Sequence, residues 1–162
     1  DLLIKAFDKF AQHNQDWYHD IVGDGPEKDA LNKMIENRYL TRREKIHPYT
    51  EDIQKYYSQA SIYVSSSRWK DFGLVLVHAM AHGLPVISSD LPSSKEILGD
   101  FGIYFKNGDV DDLAKKLEDA TYMDWQPKSD EALMLAQRFN VSVIAEQWKT
   151  LIESDGQRKG KK

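Results

Sequence analysis

Cysteine is absent from the 162 residues, which excludes disulfides, thiolate metal sites and cysteine nucleophiles and is compatible with a reducing compartment. No apolar run approaches the length needed to span a bilayer, and no signal peptide opens the chain. An excess of positive charge is also lacking. The formal net charge is -4, the wrong balance for a general nucleic-acid-binding domain. Internal repeats and low-complexity linkers are missing as well. What remains is the composition of a soluble globular domain, long enough to bury roughly two thirds of its unfolded surface in one core.

The two ends stand apart from that body. Residues 155–162 carry a small basic cluster without apolar anchors and read as a flexible tail, leaving residues 1–154 as the domain. At the other end, Asp1-Leu-Leu-Ile-Lys-Ala-Phe-Asp-Lys-Phe-Ala reads as the middle of an amphipathic helix, with Leu3, Phe7 and Phe10 on one face. A mature protein seldom starts that way, so the reading is a domain whose natural neighbour lies upstream.

Between the ends, strand and helix patterns alternate. Trp17 to Val22, Lys45 to Tyr49, Ala60 to Ser65, Leu84 to Ser88 and Ile103 to Phe105 read as strands, the last as an edge. Helices are expected over Glu27–Arg38, Glu51–Gln59, Gly73–His82, Pro92–Leu98 and Asp109–Thr121, then over about 129–138 and 141–154. Gly83 should close the Gly73–His82 helix as a left-handed cap. The alternation predicts an α/β fold, a Rossmann-like doubly wound parallel sheet whose ligands bind beyond the carboxyl ends of the strands. Gly23–Pro26, Pro48–Thr50 and Ser66–Gly73 all follow strands, so these loops should gather on one sheet edge.

The most specific stretch runs from Ser66 to Asp90, a loop leading into a glycine-started helix and then a buried strand. The first-turn N–H groups of such a helix lack intrahelical partners and lie at the positive end of its dipole, so the arrangement suits an anion, phosphate above all.

Several blocks in one order carry a family resemblance: Ile-Val-Gly-Asp-Gly-Pro-Glu at 21–27, Tyr-Thr-Glu-Asp-Ile at 49–53, Tyr56-Tyr57, Ala60-Ser61 and Ser66-Ser67-Arg68. Phe-Gly-Leu-Val-Leu at 72–76, Ala-Met-Ala at 79–81, Gly-Leu-Pro-Val at 83–86 and Glu96-Ile97 follow. Together they resemble the C-terminal, donor-binding half of a retaining glycosyltransferase of the two-domain GT-B type. The resemblance implies transfer of a sugar from a nucleotide-diphosphate sugar to a glycan or lipid-linked acceptor held by an upstream N-terminal domain. The nucleotide sugar would be a co-substrate, with no cofactor and no metal. It implies a cytoplasmic enzyme of surface polysaccharide or glycolipid synthesis, peripheral at the inner membrane face and touching the membrane only through the other domain. Phe72, Gly73 and Leu74 would hold the diphosphate, Pro48 and Tyr49 would border the base, and Gly23 and Gly25 would shape the cleft floor. Alone, the domain should transfer nothing.

This chain also departs from the family. Members usually carry a glutamate just before the Gly-Phe-Gly turn, touching the donor sugar, and another eight positions later on the ribose hydroxyls. Here those places hold Lys70 and His78, and the first glycine is Asp71. A neutral imidazole has one acceptor nitrogen where a carboxylate can accept from two adjacent hydroxyls. Lys70 could pair with a diphosphate or a sugar carboxylate, and Asp71 could serve as a displaced acid. The substitutions admit an active enzyme with an altered donor or a catalytically degenerate binding or structural subunit. Zinc shared by His78 and His82 is a third reading, with weak support because no third ligand is placed. Of the four tryptophans, Trp69 alone lies beside the expected pocket. Asp24 reads as a turn-former, Glu96 as a brace for the loop after Ser88, and Arg68 as either a phosphate ligand or a surface ion pair.

Overall fold

The computed structural model describes residues 1–69 and 73–159, with side chains as far as residue 154. Lys70, Asp71 and Phe72 therefore lie outside the described residues. The elements in chain order are α1 (Leu2–Ala11), β1 (His19–Val22), α2 (Lys28–Asn37), β2 (Glu44–His47), α3 (Gln54–Gln59), β3 (Tyr63–Ser65), α4 (Leu74–Ala81) and β4 (Val86–Ser89). After these come α5 (Pro92–Leu98), a 3-10 turn at Gly99–Phe101, β5 (Ile103–Phe105), α6 (Val110–Thr121), α7 (Trp125–Ala136), a 3-10 turn at Gln137–Phe139 and α8 (Val141–Lys159).

Among the described residues the strands form two hydrogen-bonded sets, β1 with β2 and β3-β4-β5; every pairing is parallel and each pair is separated by a helix, as in a doubly wound domain. The side chains sort accordingly into two cores. One gathers α1, α2 and α6 against Ile21, Ile46, Val64, Ile87 and Phe105. The other gathers α3, α4, α5 and α7 against Tyr63, Val86 and Tyr104. Alternate residues of β3 and β4 thus point to opposite helical layers. All four residues of β4 are buried on both faces, which explains why its sequence is a continuous small and apolar run rather than an alternation.

Several expected boundaries move. The first strand starts at His19 rather than Trp17, because the Trp17 ring is spent on packing: it meets Phe10 edge-on at 5.9 Å and Trp125 at 6.2 Å. The second ends at His47, freeing Pro48 and Tyr49 as loop. In α1 the face buried most deeply is Leu2, Ile4, Ala6, Phe7, Phe10 and Ala11, with Leu3 only half-buried. α7 begins at Trp125, with Pro127 in the first turn, where its missing N–H costs nothing. α8 runs on to Lys159, past the expected end. Among the described residues no helix is long and apolar enough to cross a membrane.

The capping residues behave as their chemistry dictates. Asp109 accepts from the N–H groups of Asp111 and Asp112, each at 3.0 Å, and so starts α6. Gly83 has φ +70° and donates its N–H to the Met80 carbonyl at 2.9 Å, turning the chain from α4 into β4.

Candidate functional site

Within each parallel set the loops that follow the strands lie at the carboxyl edge, those after β1 and β2 in one set and that after β3 in the other. Two of them are tied together. Gly23 donates its N–H to the His47 carbonyl at 3.0 Å, and the Asp24 carboxylate accepts from the Tyr49 N–H at 2.6 Å and from the Lys28 ammonium at 2.6 Å. The Lys28 hydrogen bond first, and then the Tyr49 N–H, hold the Asp24 carboxyl below the usual carboxylate range. Asp24 is therefore the brace that sets Tyr49 over the glycine turn. Gly23 itself needs glycine, having φ +148°. Gly25 lies exposed, its carbonyl accepting from the Lys28 N–H at 3.1 Å. Pro48 is exposed, and Tyr49 is 71% exposed, an aromatic face open to a ligand.

The third loop leaves β3 through Ser66 to Trp69 and is held from the neighbouring strands. The Ser89 hydroxyl donates to the Ser67 carbonyl at 2.6 Å, and the Asn107 side-chain amide donates to the Arg68 carbonyl at 2.9 Å. Asn107 is fixed in turn by Asp90, whose carboxylate accepts the Asn107 N–H at 3.0 Å. Arg68 reaches Asp1 at 3.3 Å, the surface ion pair of the two expected alternatives. Trp69 is 78% exposed.

α4 then starts at Gly73, a buried residue with φ -87° whose carbonyl accepts the Leu76 N–H at 2.8 Å. That φ is open to any residue, so what glycine supplies at Gly73 is the missing side chain. The helical N–H groups ahead of Leu76 have no carbonyl within α4 to bond. Leu74, Val75 and His78 form the exposed face of this helix, while Leu76, Val77, Ala79 and Met80 are buried. His78 therefore stands one turn below the helix start, on the solvent side.

His82, the other member of the expected pair, is engaged locally: its Nδ1 lies 2.8 Å from the His78 carbonyl and its ring stacks on Tyr57 at 4.9 Å. Glu96 is exposed, and among the described residues no hydrogen bond ties its side chain to the loop after β4. Ser94 is the brace instead, accepting from the Ser88 hydroxyl at 2.9 Å. Asn107 and Ser94 were not expected as braces. Asn107 precedes a glycine after a strand, a pattern that marks a turn and could have drawn attention to it.

Gly23, Gly25, Pro48 and Tyr49 are thus brought into one bonded unit, and Gly73, Leu74 and His78 into another. Among the described residues no hydrogen bond joins the two units. Cavities of about 300 Å³ against α2 and β2, and of about 400 Å³ at the amino edge, contain none of these residues. At the carboxyl edge Pro48, Tyr49, Leu74 and His78 are exposed.

A doubly wound parallel sheet with a helix N-terminus and two ordered loops at its carboxyl edge defines a Rossmann-like ligand-binding domain. The sequence model of the family described as Glycosyl transferases group 1 matches residues 1–133. The chain belongs to that family. It is 26% identical over 160 residues to an uncharacterized glycosyltransferase of Haemophilus influenzae, covering 94% of this chain and 44% of that one. It is 27% identical over 162 residues to the poly(ribitol-phosphate) alpha-N-acetylglucosaminyltransferase of Staphylococcus aureus, covering 95% of this chain and 32% of that one. Among solved structures, a mutant of S. aureus TarM in complex with fondaparinux, alpha-GlcNAc-glycerol and UDP superposes with a TM-score of 0.84 at 26% identity, over 93% of this chain and 32% of that one. The α/β fold with parallel strands is that of the GT-B glycosyltransferases. The chain spans a third to less than half of these relatives' lengths, as a C-terminal domain would.

Proposed function

We propose that this domain supplies the donor site of a retaining glycosyltransferase that moves a sugar from a nucleotide-diphosphate sugar to a glycan or lipid-linked acceptor. The observation that carries this reading is the start of α4 at Gly73 on the carboxyl edge, with Leu74 exposed and no side chain at Gly73 to keep a diphosphate from the helix end. In the transfer, the bond from the anomeric carbon to the diphosphate oxygen breaks, and the oxygen leaves with the electron pair. A bond forms from the anomeric carbon to the acceptor oxygen, which gives up its proton. The negative charge that grows on the leaving diphosphate meets the positive end of α4, so stabilisation comes from groups already in place.

Around that centre, Tyr49 and Pro48 border the base above the turn at Gly23 and Gly25, and His78 faces the ribose. Lys70 and Asp71 lead into the same helix; Lys70 pairs with the diphosphate or with a carboxylate on the donor sugar. The acceptor and the second cleft wall come from an N-terminal domain, so the present domain alone transfers nothing. The relative bound to UDP and the relatives in polysaccharide and O-antigen synthesis favour a cytoplasmic enzyme using a nucleotide sugar. No cofactor is invoked.

Calorimetry of the full-length protein against uridine, guanosine and adenosine diphosphate sugars tests the reading. One class is expected to bind, and a His78→Glu change, which gives the ribose a second acceptor, should tighten that binding about tenfold, or ~1.4 kcal/mol. Heat with none of them favours the degenerate subunit and sinks the enzyme. Unchanged affinity in His78→Glu would remove His78 from the site.

A further inference from the structure

At the amino ends of β3 and β4, opposite the start of α4, lies the cavity of about 400 Å³. Small-molecule sites fall in the same range, roughly 300 to 1,000 Å³. Its walls come from several elements: Trp17 ahead of β1, Tyr57 of α3, His82 and Gly83 at the end of α4, and Trp125 and Ser129 of α7. It lies between the two cores, since Trp17 and Trp125 pack against one and Tyr57 belongs to the other. Among the described residues no lysine, arginine, aspartate or glutamate lines it. A charged guest would find no side chain to balance its charge, so the cavity suits a neutral one.

The polar groups of the wall are unspent. Tyr57 is only 8% exposed, and among the described residues its hydroxyl makes no hydrogen bond, nor do those of Ser61 and Ser129. The Tyr57 hydroxyl is not sealed either, because among the described residues Glu44 Oε2 is the buried side-chain atom left without a partner. It therefore faces open space, and Tyr57 lines the cavity. The His82 ring stacks on Tyr57 at 4.9 Å, with its Nδ1 2.8 Å from the His78 carbonyl. A carbonyl only accepts, so Nδ1 carries the proton and, in the neutral ring, Nε2 is left as an acceptor. Gln126 donates its side-chain amide to Asp130 at 2.9 Å, which leaves its carbonyl oxygen as a second acceptor. Beside these groups stand the half-buried indoles of Trp17 and Trp125, their centroids 6.2 Å apart. Aromatic faces next to unpartnered hydroxyls and fixed acceptors match a molecule with an apolar C–H face and a rim of hydroxyls.

We propose that this cavity binds a neutral saccharide, at a site distinct from the donor site. Trp17 and Trp125 take the C–H face of a pyranose ring, and Tyr57, His82 and Gln126 pair with its hydroxyls. The length of the strands separates the cavity from the start of α4, so a sugar held here is not the one transferred. The inference concerns binding alone and does not rest on the donor-site reading.

The full-length protein, with its tryptophans nitrogen-labelled, is titrated with two neutral oligosaccharides, maltotriose and N,N′-diacetylchitobiose. The indole N–H resonances of Trp17 and Trp125 should shift and saturate with at least one of them, while that of Trp69, on the loop that leads to α4, stays in place. Saturating uridine diphosphate should not reverse the shifts. Tyr57→Phe keeps the ring under His82 and removes the hydroxyl, so it should weaken binding roughly fivefold, the worth of one hydrogen bond. If that variant does not fold, His82→Phe decides in its place, since it keeps a ring on Tyr57 and removes the acceptor nitrogen. No shift at Trp17 and Trp125 with either sugar overturns the proposal. So does reversal by uridine diphosphate, which would put the sugar in the donor site, or an unchanged affinity in a folded Tyr57→Phe protein.

Discussion

Replacing Gly83 by alanine is the sharpest test of how α4 is set. Gly83 has φ +70°, and a Cβ built there would lie 2.6 Å from the Ser129 hydroxyl and 3.5 Å from Leu133 Cγ in α7. Two costs follow. The left-handed conformation costs an alanine about 1 to 2 kcal/mol that glycine escapes. Moving the Ser129 hydroxyl out of contact forces it off its rotamer or shifts α7, for about 1 kcal/mol more. The Gly83→Ala protein should therefore lose about 2 to 3 kcal/mol, a fall of roughly 4 to 12 °C in the melting of a domain this size. Thermal unfolding of the full-length protein, followed by circular dichroism, measures it. The Ser129→Ala background separates the terms, because it removes the clashing oxygen and leaves the backbone strain. There Gly83→Ala should cost about 1 kcal/mol less than it does in the parent. A change below about 0.5 kcal/mol in the parent would refute the claim that this turn and its close approach to α7 fix the path from α4 to β4.

Two further predictions concern titration. The Asp24 carboxyl should titrate below the ordinary carboxylate value, with Lys28→Ala raising its midpoint; because the folded value is depressed, the tie to Tyr49 is present above the ordinary value and is lost as pH falls through the depressed one. Carboxyl NMR checks this, and a midpoint at or above the ordinary value in the parent would refute the brace. Tyr63, packed 5.8 Å from Tyr57, has its phenol pushed well up by burial and then by Tyr57. It should stay neutral while exposed tyrosines ionise, so its contribution to stability is full below about pH 10 and declines above it. Ultraviolet titration of Tyr63→Phe against the parent should show no missing phenolate at the ordinary tyrosine midpoint, and a lost one would count against the burial.

The parts of the fold written in local chemistry were legible. α5 matches its expected bounds because Pro92 starts it and Gly99 ends it, and the Asp109 cap marks α6. Gly83 was readable as a left-handed cap because Leu84-Pro85 after it cannot continue a helix. The strand starts were not legible, since Trp17 and Ala60 fit a strand pattern while Trp17 is drawn into packing with Phe10 and Trp125 and Ala60 closes α3, its N–H bonded to the Tyr56 carbonyl. The division of the sheet was invisible for a deeper reason: parallel order is decided by crossovers, and no residue pattern in β1 or β3 records which strand lies beside it. In the candidate site, the glycine turns and the α4 start could be read as loops after strands. That Asp24 rather than a glycine holds Tyr49 in place could not, because the bond spans from Asp24 to a backbone group of another loop.

The geometry of the site and the two-part sheet have one physical origin. The Gly23 turn and Tyr49 are bonded to the loops of β1 and β2, whereas the braced Ser67–Arg68 loop is bonded to Ser89 of β4 and to Asn107 after β5. What couples these halves here is α1, through the Arg68–Asp1 pair, the Arg43–Ala11 bond and the shared apolar core. The ion pair is largely exposed and contributes less than about 1 kcal/mol, so the coupling rests mainly on the core. In the proposed donor site, a diphosphate sugar held between the start of α4 and the Tyr49 loop requires the halves to keep a fixed separation. Positioning terms of this kind weaken steeply when the two grips are displaced by even an ångström. In the proposed donor site the electrostatic part of binding thus belongs to α4, and the geometric part to the apolar core that α1 shares with β1 and β3.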